Sequence, residues 1–280
     1  MTEQRLILVT GATGKVGRHV VGGLLGAGWE VRALSRDPAS ADLPDGVEVV
    51  RGDLFEPGSV AAALGGVGSV FLLWPAFTAD GAAPVVRAIA KRARRVVYLS
   101  AFGTGDGERA MGVWGDVEQL IEQSGLDWTF LRAGGFAANT LMWADQIREG
   151  VVRWPYGDAR RSLIHEADIA AVAVRALTED GHVGGKYPLT GPEAVSQADQ
   201  VRIIGEAIGR PIRWEELSRE QAREQLLAAW GDASFVDYAL DSWATLVTTP
   251  EPVTTTVQDV TGRPARTFGQ WATDHAGDFR

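Results

Sequence analysis

Three glycines spaced three apart, Gly11, Gly14 and Gly17, punctuate the segment Val9-Thr10-Gly11-Ala12-Thr13-Gly14-Lys15-Val16-Gly17. They follow a short apolar run at 6–9 and open a stretch of helical period over about 15–27. Between a strand and a helix, each glycine has a chemical use. Gly11 permits a tight turn, Gly14 lets backbone N–H groups approach a diphosphate, and Gly17 lets the helix lie close on the strand. The helix N-terminus adds about half a positive charge toward the phosphates. The spacing is related to the G-x-G-x-x-G dinucleotide fingerprint but differs from it, and a ligand-free glycine turn is the alternative reading.

Further candidates stand where later strands should end. In Glu30-Val-Arg32-Ala-Leu-Ser35-Arg36-Asp37-Pro38, Ser35 and Arg36 close a second apolar run. An acid at that place accepts the ribose hydroxyls of NAD, whereas an arginine suits the 2′-phosphate of NADP. Arg36, with Lys15 as a second cation, therefore favours NADP(H), and Asp37 keeps NAD(H) as the less favoured cofactor. Arg32 is expected to lie along the strand surface. After the third run, Asp53 can accept from the adenine amino group and Leu54 can cover the ring. Leu73-Trp74-Pro75 ends the fourth run, where a central ribose would lie, and Ser100-Ala101-Phe102-Gly103 ends the fifth.

The elements that must position these residues alternate in type. Apolar or β-branched runs at 6–9, 30–34, 47–50, 69–73, 96–99 and 128–131 are separated by helix-length segments at 57–64, 80–93 and 114–124. Strand and helix in alternation predict an α/β protein, a Rossmann-type doubly wound parallel sheet with helices on both faces. Beyond 131 helices dominate, at 137–148, 166–178, 197–208, 219–229 and 235–246, with extended pieces at 162–164, 185–189 and 212–214. The expected organisation is a nucleotide-binding domain over 1–135 with 166–182. Residues 136–165 and 183–280 are expected to form a smaller, mostly helical lobe that binds substrate.

The composition narrows the function classes. Twenty-seven basic against 36 acidic residues give a net charge of −9, which disfavours nucleic acid as a partner. With no cysteine there is no thiol nucleophile, disulfide or cysteine metal site. His19, His165, His182 and His275 show no metal-ligand spacing, so no metal is expected. No run of about 18 apolar residues suggests a membrane helix, and no secretory signal opens the chain. The expectation is a cytoplasmic protein acting on a small molecule, with its oligomeric state left open.

Thr10-Gly-Ala-Thr-Gly14, Arg36-Asp-Pro38, Gly52-Asp-Leu54, Tyr98-Leu-Ser100, the segment 124–132 and Ile164-His165-Glu-Ala-Asp168 occur in one order. Together they resemble the atypical short-chain dehydrogenase/reductases, the NmrA-like and triphenylmethane-reductase-like NAD(P)-binding family, over about the first 180 residues. The resemblance implies NADP(H) on a Rossmann domain. It puts Gly11, Ala12, Thr13, Gly14, Lys15 and Val16 on the phosphates, Arg36 on the 2′-phosphate, and Asp53 with Leu54 on the adenine. Leu73, Trp74 and Ser100 complete the expected cofactor contacts. The family often has Arg-Pro before Gly-Phe-x-x-Asn; here Arg132-Ala133 precedes Gly134-Gly135-Phe136-Ala-Ala-Asn139.

Catalysis departs from the usual short-chain pattern, a Tyr-x-x-x-Lys pair in which lysine lowers the tyrosine pKa. Tyr98, Tyr156, Tyr187 and Tyr238 are followed four residues on by Phe102, Arg160, Gly191 and Ser242. Asp116 and Glu118 occupy the helix where the pair would sit, and are expected to be solvated or paired with arginine. His165 is the candidate proton donor, with a structural hydrogen bond as the alternative. Trp74, Trp114, Trp143 and Trp154 lie in segments expected near the crevice, with a packing role the favoured alternative for any one of them. Phe102, Trp114, Phe136, Asn139 and Trp143 are the candidate substrate-pocket residues. Hydride transfer into a delocalised acceptor (a quinone, cationic dye or iminium) needs little proton donation. The expectation is an NADPH-dependent oxidoreductase for such electrophiles; the alternative is a non-catalytic, NADP(H)-sensing regulator.

Overall fold

The computed structural model describes residues 5–102, 110 and 112–280; the expected contribution of Gly103 lies outside these. The chain divides into two compact units. The first comprises 1–134, 166–189 and 256–263, the second 135–165, 190–255 and 264–280.

The first unit is built on β1 (Leu6–Val9), β2 (Glu30–Ser35), β3 (Val47–Arg51), β4 (Val67–Leu73), β5 (Arg95–Ala101) and β6 (Asp127–Ala133). The strand Gly185–Leu189 completes a seven-stranded sheet in the order β3-β2-β1-β4-β5-β6 followed by that strand. Every pairing in it is parallel. The all-apolar strands account for this. Ile7, Leu8 and Val9 are wholly buried, so both faces need covering, and the helices between the strands supply the cover. On one face, Val85 and Ile89 of α3 (Ala82–Ala90) and Val117 and Ile121 of α4 (Gly112–Glu122) pack with Val70, Val96, Tyr98 and Phe130. α1 (Gly17–Gly26) packs against the helix Glu166–Thr178 so tightly that a Cβ on Gly23 would come within 2.9 Å of Val174 Cγ2.

Two stretches assigned to the lobe on sequence belong to the first unit. Gly185–Leu189 pairs with β6 from Thr129↔Gly185 to Ala133↔Leu189, and the helix Thr256–Thr261 lies in the same unit. As an edge strand, Gly-Lys-Tyr-Pro-Leu tolerates Pro188 and buries only Leu189 fully, so it lacks the apolar signature of the inner strands.

The second unit carries two small sheets. Val151–Trp154 pairs in parallel with Arg213–Glu216, and Arg160–Arg161 pairs antiparallel with Val195–Ser196. The single helix expected over 137–148 is a 3-10 segment, Ala137–Trp143, followed by an α-helix, Ala144–Glu149. Thr140 Oγ1 donates to the Ala137 carbonyl at 2.7 Å, an i−3 contact suited to the tighter turn. The extended piece expected at 162–164 survives only as a bridge between Ile164 and Phe136. The core of this unit includes Trp143, Trp154, Ile204, Leu240, Phe268 and Trp271.

Candidate functional site

The glycine segment forms the loop between β1 and α1. Gly11 adopts φ +61°, a conformation that L side chains rarely adopt. At Gly17 the constraint is space, since a Cβ there would stand 2.0 Å from the Gly11 carbonyl oxygen. Val16 is the N-cap of α1 and offers no side-chain cap; the Arg18 amide donates to the Gly14 carbonyl and the His19 amide to the Val16 carbonyl, each at 3.1 Å. The Gly14 amide donates to the Gly11 carbonyl at 2.9 Å, while the amides of Ala12, Thr13 and Val16 have no acceptor among the described residues. Uncommitted amides at a helix N-terminus suit a diphosphate, and the residues present fit a dinucleotide here. The loop is anchored to β4 at the point where the strand order reverses. Thr10 Oγ1 accepts from the Leu73 amide at 2.8 Å, and Leu73 lies 3.5 Å from the position a Gly11 Cβ would take.

Arg36 is exposed at the end of β2 and makes no ion pair among the described residues. Asp37 is turned away to cap the short 3-10 helix Pro38–Ser40, accepting from the Ala39 amide at 3.2 Å. Arg32 is bound along the surface, to Glu48 at 2.8 Å and to the carbonyls of Ala63 and Gly65. Asp53 Oδ1 accepts from the Phe55 amide at 2.9 Å, and Leu54 is buried beside it. Trp74 is buried and braces its own loop, donating from Nε1 to the Thr78 carbonyl at 2.7 Å, with Phe55 edge-on at 5.8 Å. Lys15 is exposed on the loop.

At the carboxyl ends of β5 and β6 the structure assembles a buried polar cluster. Glu118 on α4 is 1% exposed and forms an ion pair with Arg132 of β6. Its Oε1 accepts from Ser100 Oγ at 2.7 Å and Arg132 Nε at 3.0 Å; its Oε2 accepts from Arg132 Nη2 at 2.7 Å. The Ala110 amide adds a contact to Oε2 at 3.3 Å. Nearby Tyr98 is wholly buried, its hydroxyl without a partner among the described residues. Burial, and then the Glu118 charge, push its phenol well above the usual tyrosine range. Of the two carboxylates expected to be solvated or paired, Asp116 is exposed and Glu118 is the paired one. The depth of the pair was not evident from sequence. Two signals were present: Glu118 sits three residues before Ile121 on the apolar face of α4, and Arg132 ends the otherwise apolar run Trp-Thr-Phe-Leu. Trp114, four residues before Glu118, is 38% exposed, and Phe102 is half-buried.

In the second unit Phe136 is half-buried beside Ile164, and Asn139, exposed, donates its amide to the Phe136 carbonyl at 3.0 Å. Trp143 departs from its expected place on a pocket wall. It is 2% exposed, edge-on to Trp154 at 5.9 Å and Trp214 at 6.1 Å, because the 3-10 turn points it into the apolar core of its unit. Trp154 is likewise a core residue. His165 is buried, with Nε2 3.3 Å from Asp274 Oδ2, which ties it to the helix Phe268–Asp274.

The fold is that of a doubly wound parallel α/β protein, and comparison with known proteins narrows it. A profile described as NAD(P)H-binding matches residues 11–180. The (4-alkanoyl-5-oxo-2,5-dihydrofuran-3-yl)methyl phosphate reductase of Streptomyces griseus is 39% identical over 98% of this chain and 99% of its own. The NAD(P)H azoreductase of Xenophilus azovorans is also 39% identical, over 98% of this chain and 99% of its own. Among solved structures, the Escherichia coli NADPH-dependent quinone oxidoreductase complexed with NADPH superposes with TM-score 0.80. It covers 96% of this chain and 99% of its own at 24% identity, a likeness of fold. The chain belongs to the NAD(P)H-binding family and is an oxidoreductase. Among the described residues, no helix is long and apolar enough to cross a membrane.

Proposed function

We propose that this chain uses NADPH to reduce small, largely apolar electrophiles with delocalised π-systems, of quinone, dye or imine type. The observation that carries the reading is the make-up of α4. Where short-chain dehydrogenases of the usual kind have Tyr-x-x-x-Lys, this helix has Trp114 and, four residues on, Glu118, with neither tyrosine nor lysine in Gly112–Glu122. A carboxylate locked to Arg132 does not lower the pKa of a tyrosine, so alcohol chemistry through that pair is not supported. An acceptor that spreads the incoming electron pair over a conjugated system needs no strong acid beside it in the transition state. The azoreductase name of a 39% identical relative agrees with this acceptor class.

The bound cofactor supplies the hydride; the residues of this chain hold and orient it. The amides of Ala12, Thr13 and Val16 at the start of α1 take the diphosphate, and Lys15 adds charge at the rim. Exposed Arg36 takes the 2′-phosphate. Its neighbour Asp37 accepts from the Ala39 amide as a helix cap, and the exposed Arg36 guanidinium at the end of β2 supports NADPH over NADH. Asp53 and Leu54 take the adenine, with Leu73 and Trp74 at the ribose. Phe136, Asn139, Trp114 and Phe102 are the proposed substrate contacts, and His165, through its link to Asp274, the proposed proton donor.

The test is a panel of quinones, cationic triarylmethane dyes, azo compounds and imines, each followed by loss of the reduced-nicotinamide absorbance. Turnover of at least one conjugated class with NADPH, and none of simple secondary alcohols with NADP, is the expected result. Tight NADPH binding with no turnover of any electrophile would replace the reading by a sensor of the NADP(H) ratio.

A further inference from the structure

Ser100 is the penultimate residue of β5, and its register partner on β6 is Arg132, so both side chains leave the same face of the sheet. On that face they meet Glu118. A serine hydroxyl has one proton to donate and two lone pairs to accept with. Here the proton is committed, with Ser100 Oγ 2.7 Å from Glu118 Oε1. A carboxylate has no proton to return, and this one accepts in addition from Arg132 Nε, Arg132 Nη2 and the Ala110 amide. Hydrogen bonds to a charged acceptor are roughly twice as strong as those between neutral groups. A neutral carbonyl arriving at the end of β5 therefore cannot capture the Ser100 proton. What remains for a ligand is the lone-pair side of the oxygen.

The end of β5 adjoins β4, on the side of the strand reversal where open α/β sheets bind their ligands. From this geometry we infer that Glu118, clamped by Arg132, is a positioning residue. It fixes Ser100 as a hydrogen-bond acceptor for the primary-amide N–H of the nicotinamide ring. The inference rests on the NADPH reading above. It reverses the donor role that a serine beside a hydride-transfer site would otherwise take, and makes ring orientation, not proton supply, the task of this cluster.

The experiment compares two ligands that differ at that amide: NADPH and its reduced 3-acetylpyridine analogue, in which a methyl replaces the NH₂. Dissociation constants are read from quenching of intrinsic tryptophan fluorescence, without turnover. The native chain should bind NADPH about five-fold more tightly than the analogue, the worth of one net hydrogen bond. Ser100→Ala should bring that ratio to about one. Glu118→Gln should move it part of the way, because a neutral amide oxygen holds the Ser100 proton less strongly than a carboxylate and lets the acetyl oxygen compete for it. Should Glu118→Gln fail to fold, Ser100→Ala, which removes a single oxygen, decides alone. A purely structural cluster would shift both constants together and leave their ratio intact. A native ratio near one, or a ratio that Ser100→Ala leaves unmoved, overturns the inference while NADPH use stands. Failure of the native chain to bind either nucleotide overturns both.

Discussion

Substituting Gly17 by alanine tests the loop most directly, because the structure specifies what the added methyl meets. Its Cβ would lie 2.0 Å from the Gly11 carbonyl oxygen, 2.7 Å from the Gly11 carbonyl carbon and 2.8 Å from Ala12 Cα. All three are backbone atoms, so no rotamer change relieves the contact. Reaching even 3.0 Å, which real Cβ contacts essentially never undercut, takes a retreat of about 1 Å by α1 or the loop. Overpacking of this kind costs about 2–3 kcal/mol, from which the better helix propensity of alanine recovers about 1 kcal/mol. The net loss of about 1–2 kcal/mol should lower Tm by about 2–8 °C for a chain of this size. The functional loss should be larger in proportion. Moving the amides of Ala12, Thr13 and Val16 by that distance weakens charge-assisted hydrogen bonds worth about 1.5–3 kcal/mol each, so the Kd for NADPH should rise about 10- to 100-fold. Gly22→Ala is the internal control. It lies on the same helix with nothing within 4 Å of its Cβ, and should stabilise by about 0.4–1 kcal/mol without touching affinity. Thermal melts with and without NADPH, together with fluorescence titration, read all four quantities. A Gly17→Ala protein that melted and bound NADPH like the native chain would refute the close-approach argument.

Arg36→Ala should weaken NADPH about 10- to 100-fold and NADH by less than about two-fold, the difference being one charge-assisted phosphate contact; equal losses in titration would remove Arg36 from the 2′-phosphate. Tyr98→Phe should raise stability by about 1 kcal/mol, since it deletes a buried hydroxyl with no partner among the described residues but keeps the ring edge-on to Phe130 at 6.2 Å. It should also flatten the alkaline limb. Above pH 10.0 the unfolded phenol ionises while the folded one, raised by burial, keeps its proton, so native stability falls with pH there and the phenylalanine variant is spared that loss. Urea denaturation at neutral and alkaline pH gives both effects. Glu118→Ala should cost about 3–5 kcal/mol by taking the paired carboxylate away from the buried Arg132 guanidinium, whereas Glu118→Leu with Arg132→Met should recover most of it. A single variant as stable as the double one in chemical denaturation would rule out a buried, mutually dependent pair.

Local chemistry made much of the first unit legible from the chain alone. Strands buried on both faces must be apolar along their whole length, and the turn from β1 into α1 must carry glycine at Gly11 and Gly17, so both left unmistakable patterns. The cation at Arg36 stood in sequence where it stands in space, because the end of a strand is set by the strand itself. Other features depended on partners far along the chain. Gly185–Leu189 reads as a fragment of the lobe until β6 offers it an edge. Trp143 reads as a pocket aromatic until a 3-10 turn aims it at Trp154 and Trp214. Glu118 and Ser100, 18 residues apart, become one acceptor-bound pair only when β5, β6 and α4 converge. Periodicity reports which face of an element is buried; it carries no record of which buried polar group will find which, because that is settled by the register of distant segments.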